Sequence, residues 1–203
     1  MTTQRDRALA LLGRQSIMRL SDLTAAGIHA ASLARLVDDG IIVRAGRGLY
    51  ELADAEVSLS HSLAEMAVRV PKGVVCLVSA LAHHEITLQN PRTVWMAIGL
   101  KDRTPRITHR AARFVHFGDA AMEAGIERIR IDGVEVKVFS AAKTIVDCFR
   151  YRRIVGLDVA LEALRLGVRS RKATPDEIVR MAKALRIWSV LRPYLESVVA
   201  DDT

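Results

Sequence analysis

Apolar positions in the first third of the chain recur at helical spacing and stop at glycines. "RDRALALLG" sets Ala8, Leu9, Leu11 and Leu12 on one broad apolar face and is expected to end at Gly13. Ser21 is the expected N-cap of a short helix "DLTAAG", which Gly27 ends. In "IHAASLARLVDDG", Leu33, Leu36 and Val37 form one stripe with Ala30 beside them, and Gly40 supplies the stop. At about 100° per residue, Ala31, Ser32 and Arg35 fall on the opposite face. "IIVRAGRGLYEL" then sets two short apolar runs around a Gly-rich turn with Arg44 and Arg47 on its two sides. Ile41, Val43, Leu49 and Tyr50 are expected to anchor that hairpin. Short helices followed by a two-stranded hairpin give the order of a winged helix-turn-helix, here residues 1–55, whose third helix enters the major groove by its N-terminal residues.

Beyond residue 55 the pattern changes. "SLSHSLAEMAVRV" is helical and is broken by Pro71 and Gly73, and "SALAHHEI" is a helix with Ser79 as its cap. Strand-like runs follow: "TVWMAIGL", "ARFVHFG", then "ERIRI" and "VEVKVF" joined by Asp132-Gly133, a strong hairpin signal. A two-residue turn sets Ile131 opposite Val134 and Ile129 opposite Val136 on one face, with Arg130 opposite Glu135 on the other. Helices then return. Ser140 caps "AAKTIVDCFRYR", "LDVALEALRLG" ends at Gly167, and Thr174, Pro175 and Glu177 make a capping box ahead of "TPDEIVRMAKAL". A last apolar stretch carries Trp188, Leu191, Tyr194 and Leu195. Residues 56–203 are therefore expected to form an antiparallel sheet with helices packed on it, and the whole chain to be α+β.

Composition narrows the function classes. Half of the 203 residues are hydrophobic, enough for a substantial core, which excludes a disordered chain. The formal charge of +7 and pI of about 9.9 favour polyanions without naming one. No secretory signal is visible, and no apolar run approaches the roughly 18 residues of a spanning helix. A soluble, cytoplasmic protein is expected. Cys76 and Cys148 stand far apart in apolar surroundings and read as buried free thiols.

Candidate catalytic strings are weak in context. Ser140-Ala-Ala-Lys143 has the S-x-x-K spacing of serine acyl enzymes, but the companion motifs are absent, so a capping serine with an exposed lysine is the better reading. Lys143 and Asp147 can pair at i,i+4, in the less favourable orientation. His83-His84-Glu85 does not make a chelating pair, because adjacent helical residues point about 100° apart. There is no phosphate-cradling loop: "GRG" at 46–48 lies in a hairpin rather than before a helix. No cofactor, metal site or catalytic centre is assigned, and the chain is read as a non-enzyme. Basic residues gather in three groups: Lys101, Arg103, Arg106, Arg110 and Arg113; Arg150, Arg152 and Arg153; and Arg165, Arg169, Arg171 and Lys172. They read either as solvated helix ends or as a surface for DNA backbone, RNA or an acidic partner.

Taken in order, "IHAASLARLVDDGIIVRAGRGLYEL", "VVCLVSALAHHEIT" and "VEVKVFSAAKTIVDCFRYRR" resemble the AbiEi family of antitoxins of type IV toxin–antitoxin systems. That family carries a Ser/Pro-x-x-Lys-Thr-x-x-Asp segment in its C-terminal domain, matched here by Ser140, Lys143, Thr144 and Asp147. The resemblance implies a winged helix that represses its own operon by binding operator DNA at inverted repeats. It also implies a C-terminal domain that counteracts a cognate nucleotidyltransferase toxin. The alternative is a protein-interaction antitoxin that binds its toxin directly with little DNA binding. On the first reading, Ser32 and Arg35 contact DNA from the recognition helix, with His29 or Ala31 close to base edges, and Arg44 and Arg47 contact phosphate or minor groove from the wing. His29 stands where a Ser or Thr cap is expected; either it meets DNA itself or the helix starts less firmly.

Overall fold

The computed structural model describes residues 3–55, 58–89, 91–107 and 112–201. They fall into two compact units, Met1–Pro71 with Ile129–Val136, and Lys72–Arg128 with Lys137–Thr203.

The first unit opens with helix α1, Gln4–Arg14, started by a capping box in which the Thr3 hydroxyl accepts the Asp6 N–H and the Asp6 carboxylate accepts the Thr3 N–H. Gly13 lies inside this helix rather than ending it. Strand β1, Ile17–Arg19, follows. Helix α2 spans Leu20–Ala25 with Arg19 at the N-cap position, so Ser21 sits within the first turn and its hydroxyl bonds Asp22 instead of capping. Helix α3 is Ala30–Asp38, and strands β2, Ile42–Gly46, and β3, Leu49–Leu52, make the wing. The three strands form an antiparallel sheet in the order β1-β3-β2. Helix, strand, two helices and a hairpin that closes on the first strand is the winged helix-turn-helix arrangement.

Its core gathers Ala8, Leu12, Leu23, Ile28, Leu33, Leu36, Ile42 and Tyr50. Two apolar expectations are corrected. Ala30 is exposed, and in the wing Ile42 is fully buried while Val43 is 39% exposed. Successive strand residues point to opposite faces, so burying Ile42 turns Val43 outward.

Helix α4, Leu59–Arg69, groups with this unit, which continues past the expected boundary at residue 55. The Ser58 hydroxyl caps it by accepting the His61 N–H at 3.0 Å. His61 is buried, with Nε2 at 3.1 Å from the Glu51 carboxylate of β3 and Nδ1 at 3.3 Å from the Asp132 carboxylate. The Ser16 N–H donates to the Asp132 carbonyl at 2.9 Å. Beside it, Gly133 has φ +77°, and a Cβ there would collide with the Arg14 carbonyl, so both conformation and space require glycine.

The second unit adds strand β4, Val74–Val75; helix α5, Leu77–His83; strands β5, Val94–Gly99, and β6, Ala112–Phe117; and helix α6, Asp119–Glu123. The hairpin strands β7, Ile126–Ile131, and β8, Val134–Phe139, follow, and their tip is the Ile129–Val136 segment of the first unit. Asp132 and Gly133 both have positive φ, as a two-residue turn of this kind demands. The remaining helices are α7, Ala141–Arg150; α8, Arg152–Val155; α9, Leu157–Arg169; α10, Pro175–Ala184; and α11, Trp188–Asp201.

The sheet order is β6-β5-β4-β8-β7. It is mixed rather than wholly antiparallel: β5 runs parallel to β6 and β4 parallel to β8, while β4 and β5 are antiparallel. Ser79 lies inside α5, where its hydroxyl accepts the Trp95 N–H at 2.9 Å and so ties α5 to β5; Cys76 holds the cap position. Gly167 does not end α9. It is buried inside the helix, and a Cβ there would come within 2.5 Å of Ile145 on α7, so it is the point of close helix approach. The capping box of Thr174 and Glu177 starts α10, with Pro175 in its first turn. Cys76 and Cys148 are free and buried.

Candidate nucleic-acid interface

α3 begins without a side-chain cap at His29, and that start is braced from α1 instead. The Gln4 amide oxygen accepts the His29 N–H at 2.9 Å, and its NH2 donates to the Gly27 carbonyl at 2.9 Å. The Arg7 guanidinium donates to the Ala26 carbonyl at 2.8 Å. Gly27, at φ +81°, makes the tight turn between α2 and α3. The lack of a Ser or Thr cap is therefore offset by two α1 side chains that fix the turn.

On α3, His29, Ala31 and Arg35 are exposed and Ser32 is half-buried, opposite the buried Leu33 and Leu36. Asp38 and Asp39 are exposed at the far end, where Arg5 approaches Asp39 at 3.9 Å. The first turn of α3 thus carries small side chains and no acid, Arg35 stands in its last turn, and the acids follow at its end.

In the wing, Arg44 and Arg47 are both exposed. Arg44 lies over the Tyr50 ring, 5.9 Å from its centre, and Arg47 occupies the two-residue turn with Gly48, whose φ is +68°. Arg44 pairs with Tyr50 and Gly46 with Leu49, so Ala45 is an extra residue, a bulge that bends β2 just before the turn. The wing is held near its tip by α4. The Arg69 guanidinium donates to the Ala45 carbonyl and is itself paired with Glu65, one turn back, at 2.6 Å. Glu65 is 2% exposed. A Cβ on Gly46 would stand 2.6 Å from Arg69, so the bulge glycine makes room for the guanidinium. Arg19 in turn donates to the Val68 carbonyl at the end of α4. The sequence pattern does not mark Gln4, Arg7 or this α4 contact. The one local signal was Glu65 preceding Arg69 at i,i+4, the favourable order on a helix.

The C-terminal motif has a different character. Ser140 caps α7 by accepting the Lys143 N–H. Lys143, Thr144 and Asp147 have no exposed surface. This overturns the expected exposed lysine. The Lys143 ammonium pairs with the Asp147 carboxylate and stands 4.0 Å from the centre of the Phe139 ring and 4.9 Å from that of Phe117. The Thr144 hydroxyl donates to the Phe139 carbonyl at 3.1 Å. Burial pushes the Asp147 carboxyl up to about 6 despite the opposing pull of Lys143, and burial likewise lowers the Lys143 ammonium.

The Asp147 shift has a measurable consequence. Its folded value lies above the unfolded value near 4, so the stability it contributes is full below about 4 and is lost as pH rises to about 6. Measured against the Lys143→Met, Asp147→Leu double variant, the wild type should lose unfolding free energy between pH 4 and 6. Equal pH profiles for the two proteins would contradict this.

The basic groups divide. Arg150 donates to the Leu185 carbonyl and Arg152 to the Phe149 carbonyl, so both satisfy backbone oxygens. Lys172 pairs with Glu85 at 3.0 Å. Lys101, Arg103, Arg106, Arg153, Arg165, Arg169 and Arg171 are exposed; Arg113, also exposed, lies 4.3 Å above the Trp95 ring, and Arg110 lies outside the described residues. His83 and His84 are both half-buried, and His84 Nε2 lies 2.7 Å from the Phe139 carbonyl. Among the described residues no group of three or more His, Cys, Asp or Glu is placed to hold a metal ion, and no helix is long and apolar enough to cross a membrane.

A winged helix-turn-helix with a basic wing is an arrangement that many DNA-binding regulators use. Residues 6–53 match the family model described as "Transcriptional regulator, AbiEi antitoxin". Over 96% of its length the chain is similar in fold to the crystal structure of the RV2827C protein from Mycobacterium tuberculosis, with a TM-score of 0.60, 14% identity and 77% of that chain covered. Among curated proteins, none matches the chain.

Proposed function

We propose that this chain is a DNA-binding repressor of its own toxin–antitoxin operon, with α3 reading operator DNA and the wing gripping its backbone. The observation that carries this reading is the combination of a winged helix with an exposed, basic turn: Arg47 at the tip, Arg44 on the strand before it, and an α3 start braced by Gln4 and Arg7. Ser32 and Arg35 reach base edges or phosphate, His29 and Ala31 lie at the groove floor, and Arg44 and Arg47 contact phosphate or minor groove. The larger C-terminal domain, expected from residue 56, counteracts a nucleotidyltransferase toxin. A regulator rather than an acyl enzyme is favoured by Lys143, which is sealed in the core against Asp147 and serves the Ser140 hydroxyl only through its backbone N–H.

The wing assignment is tested by titrating a duplex taken from directly upstream of the coding sequence, across a salt series. Arg47→Ala should weaken binding and reduce the slope of log K against log salt by about 0.9, the loss of one phosphate contact. Because a turn-tip arginine buries little surface, its thermal midpoint should stay at the wild-type value. Unchanged slope and affinity would remove Arg47 from the interface.

A further inference from the structure

We infer that Arg69, on α4, is a positioning residue for DNA binding: it clamps the wing in its binding geometry without touching DNA. This rests on the reading of the first unit as a DNA-binding wing. Three observations meet at this side chain. Its guanidinium donates to the carbonyl of Ala45, the bulge residue that sets the direction of the wing tip. Its Nε and Nη2 both reach Glu65 Oε1, at 2.8 Å and 2.6 Å, and Glu65 is buried, so the fork is held in one orientation rather than sweeping through solvent. Finally, Gly46 leaves the space the guanidinium occupies, and any Cβ there would displace it.

A two-stranded hairpin standing alone is only marginally ordered. β2 and β3 pair with each other, and only β3 has a second strand, β1, on its other side. The outer strand β2, which carries Arg44 and leads to Arg47, is held at Ala45 by Arg69 of α4. The carbonyl of a bulge residue has no ladder partner of its own, and a buried, charge-assisted donor is the strongest way to fix it. Arg19 repeats the device in reverse, donating from the end of β1 to the last carbonyls of α4, so helix and sheet are tied at both ends of the same contact. α4 lies beyond residues 6–53, so the wing of this chain depends on a helix outside the segment that the family model matches.

The side chain is 11% exposed, which keeps it from reaching a phosphate; its effect on binding must pass through the wing. When the clamp is released, the wing samples orientations that do not fit the groove, and affinity falls by the fraction of time spent in them.

The test compares Arg69→Met, which keeps the packing stem and removes the donors, with Arg69→Lys, which keeps one donor and the charge. Each is titrated, beside the wild type and Arg47→Ala, against the duplex from directly upstream of the coding sequence. Arg69→Met should lose about tenfold in affinity with the salt slope of the wild type, and Arg69→Lys should recover part of that loss. Hydrogen exchange on the free proteins supplies a readout independent of DNA: amides of residues 42–50 should exchange faster in Arg69→Met, while those of α1 and α3 keep their wild-type protection. Wild-type affinity in Arg69→Met, with Arg47→Ala weakened, would overturn the clamp and leave the DNA reading standing. A slope reduced as in Arg47→Ala would make Arg69 a direct phosphate contact and equally overturn it. If the wild type itself fails to bind, the DNA reading fails, and unchanged exchange at residues 42–50 would separately dispose of the clamp.

Discussion

Lys143→Ala is expected to destabilise the protein by about 3–5 kcal/mol, the usual cost of leaving one member of a buried ion pair alone. Lys143 and Asp147 are both without exposed surface, and no solvent is at hand to take up the abandoned carboxylate. The ammonium also lies close to the rings of Phe117 and Phe139, so its removal loses packing and cation–π attraction together. The same pair is not a strong source of stability. The Asp147 carboxyl is held above its ordinary value because desolvation outweighs the attraction of Lys143, which means that charging it inside the fold is uphill. Replacing both residues, Lys143→Met with Asp147→Leu, should therefore return stability to within roughly 1 kcal/mol of the wild type or exceed it. Denaturant unfolding at pH 7 distinguishes these outcomes. The deficit of Lys143→Ala should also shrink on acidification, since a protonated Asp147 needs no partner. A single variant costing under about 1 kcal/mol would show that the pair is not sealed in the way described.

The second large effect concerns DNA. Arg35 projects from the exposed face of α3 and has a planar fork able to take guanine O6 and N7 together. Arg35→Ala should cost about 1–3 kcal/mol on the upstream duplex, and far less on an unrelated duplex of the same length. An equal loss on both would reassign Arg35 from base reading to phosphate contact. Arg47→Ala is expected to behave in the second way, weakening both duplexes alike. On the proposed reading, the two variants separate loss of specificity from loss of grip within one small unit.

The parts of this architecture that sequence revealed are those fixed by local chemistry. Asp132-Gly133 adopts positive φ at both residues, as its turn type requires, and Thr174, Pro175 and Glu177 start a helix where they should. The α3 stripe and the wing turn were legible for the same reason. Short strands were not. β1 is three residues long and β4 two, too brief for alternation to register, and their places come from partners far along the chain. Strand direction in the larger sheet was equally hidden, because an apolar run looks the same whether its neighbour is parallel or antiparallel. The burial of Lys143 is hidden from the sequence for a sharper reason. Periodicity separates a polar from an apolar side of a helix, and α7 has both, but it does not report that the polar side is covered as well. In the first unit, the exposed arginines can be named from the sequence, whereas the roles of Gln4, Arg7 and Arg69 cannot. These act by reaching backbone carbonyls and amides many residues away, and no local pattern encodes such a target.

The central claim is that the full chain recognises its own operator through this winged helix, and footprinting of the upstream DNA tests it most directly. The account predicts protection of two inverted half-sites whose centres lie about one helical turn, or a whole number of turns, apart, with protection lost in Arg35→Ala at concentrations that saturate the wild type. Even coverage of the fragment without a repeated footprint, or protection unaltered by Arg35→Ala, would contradict it.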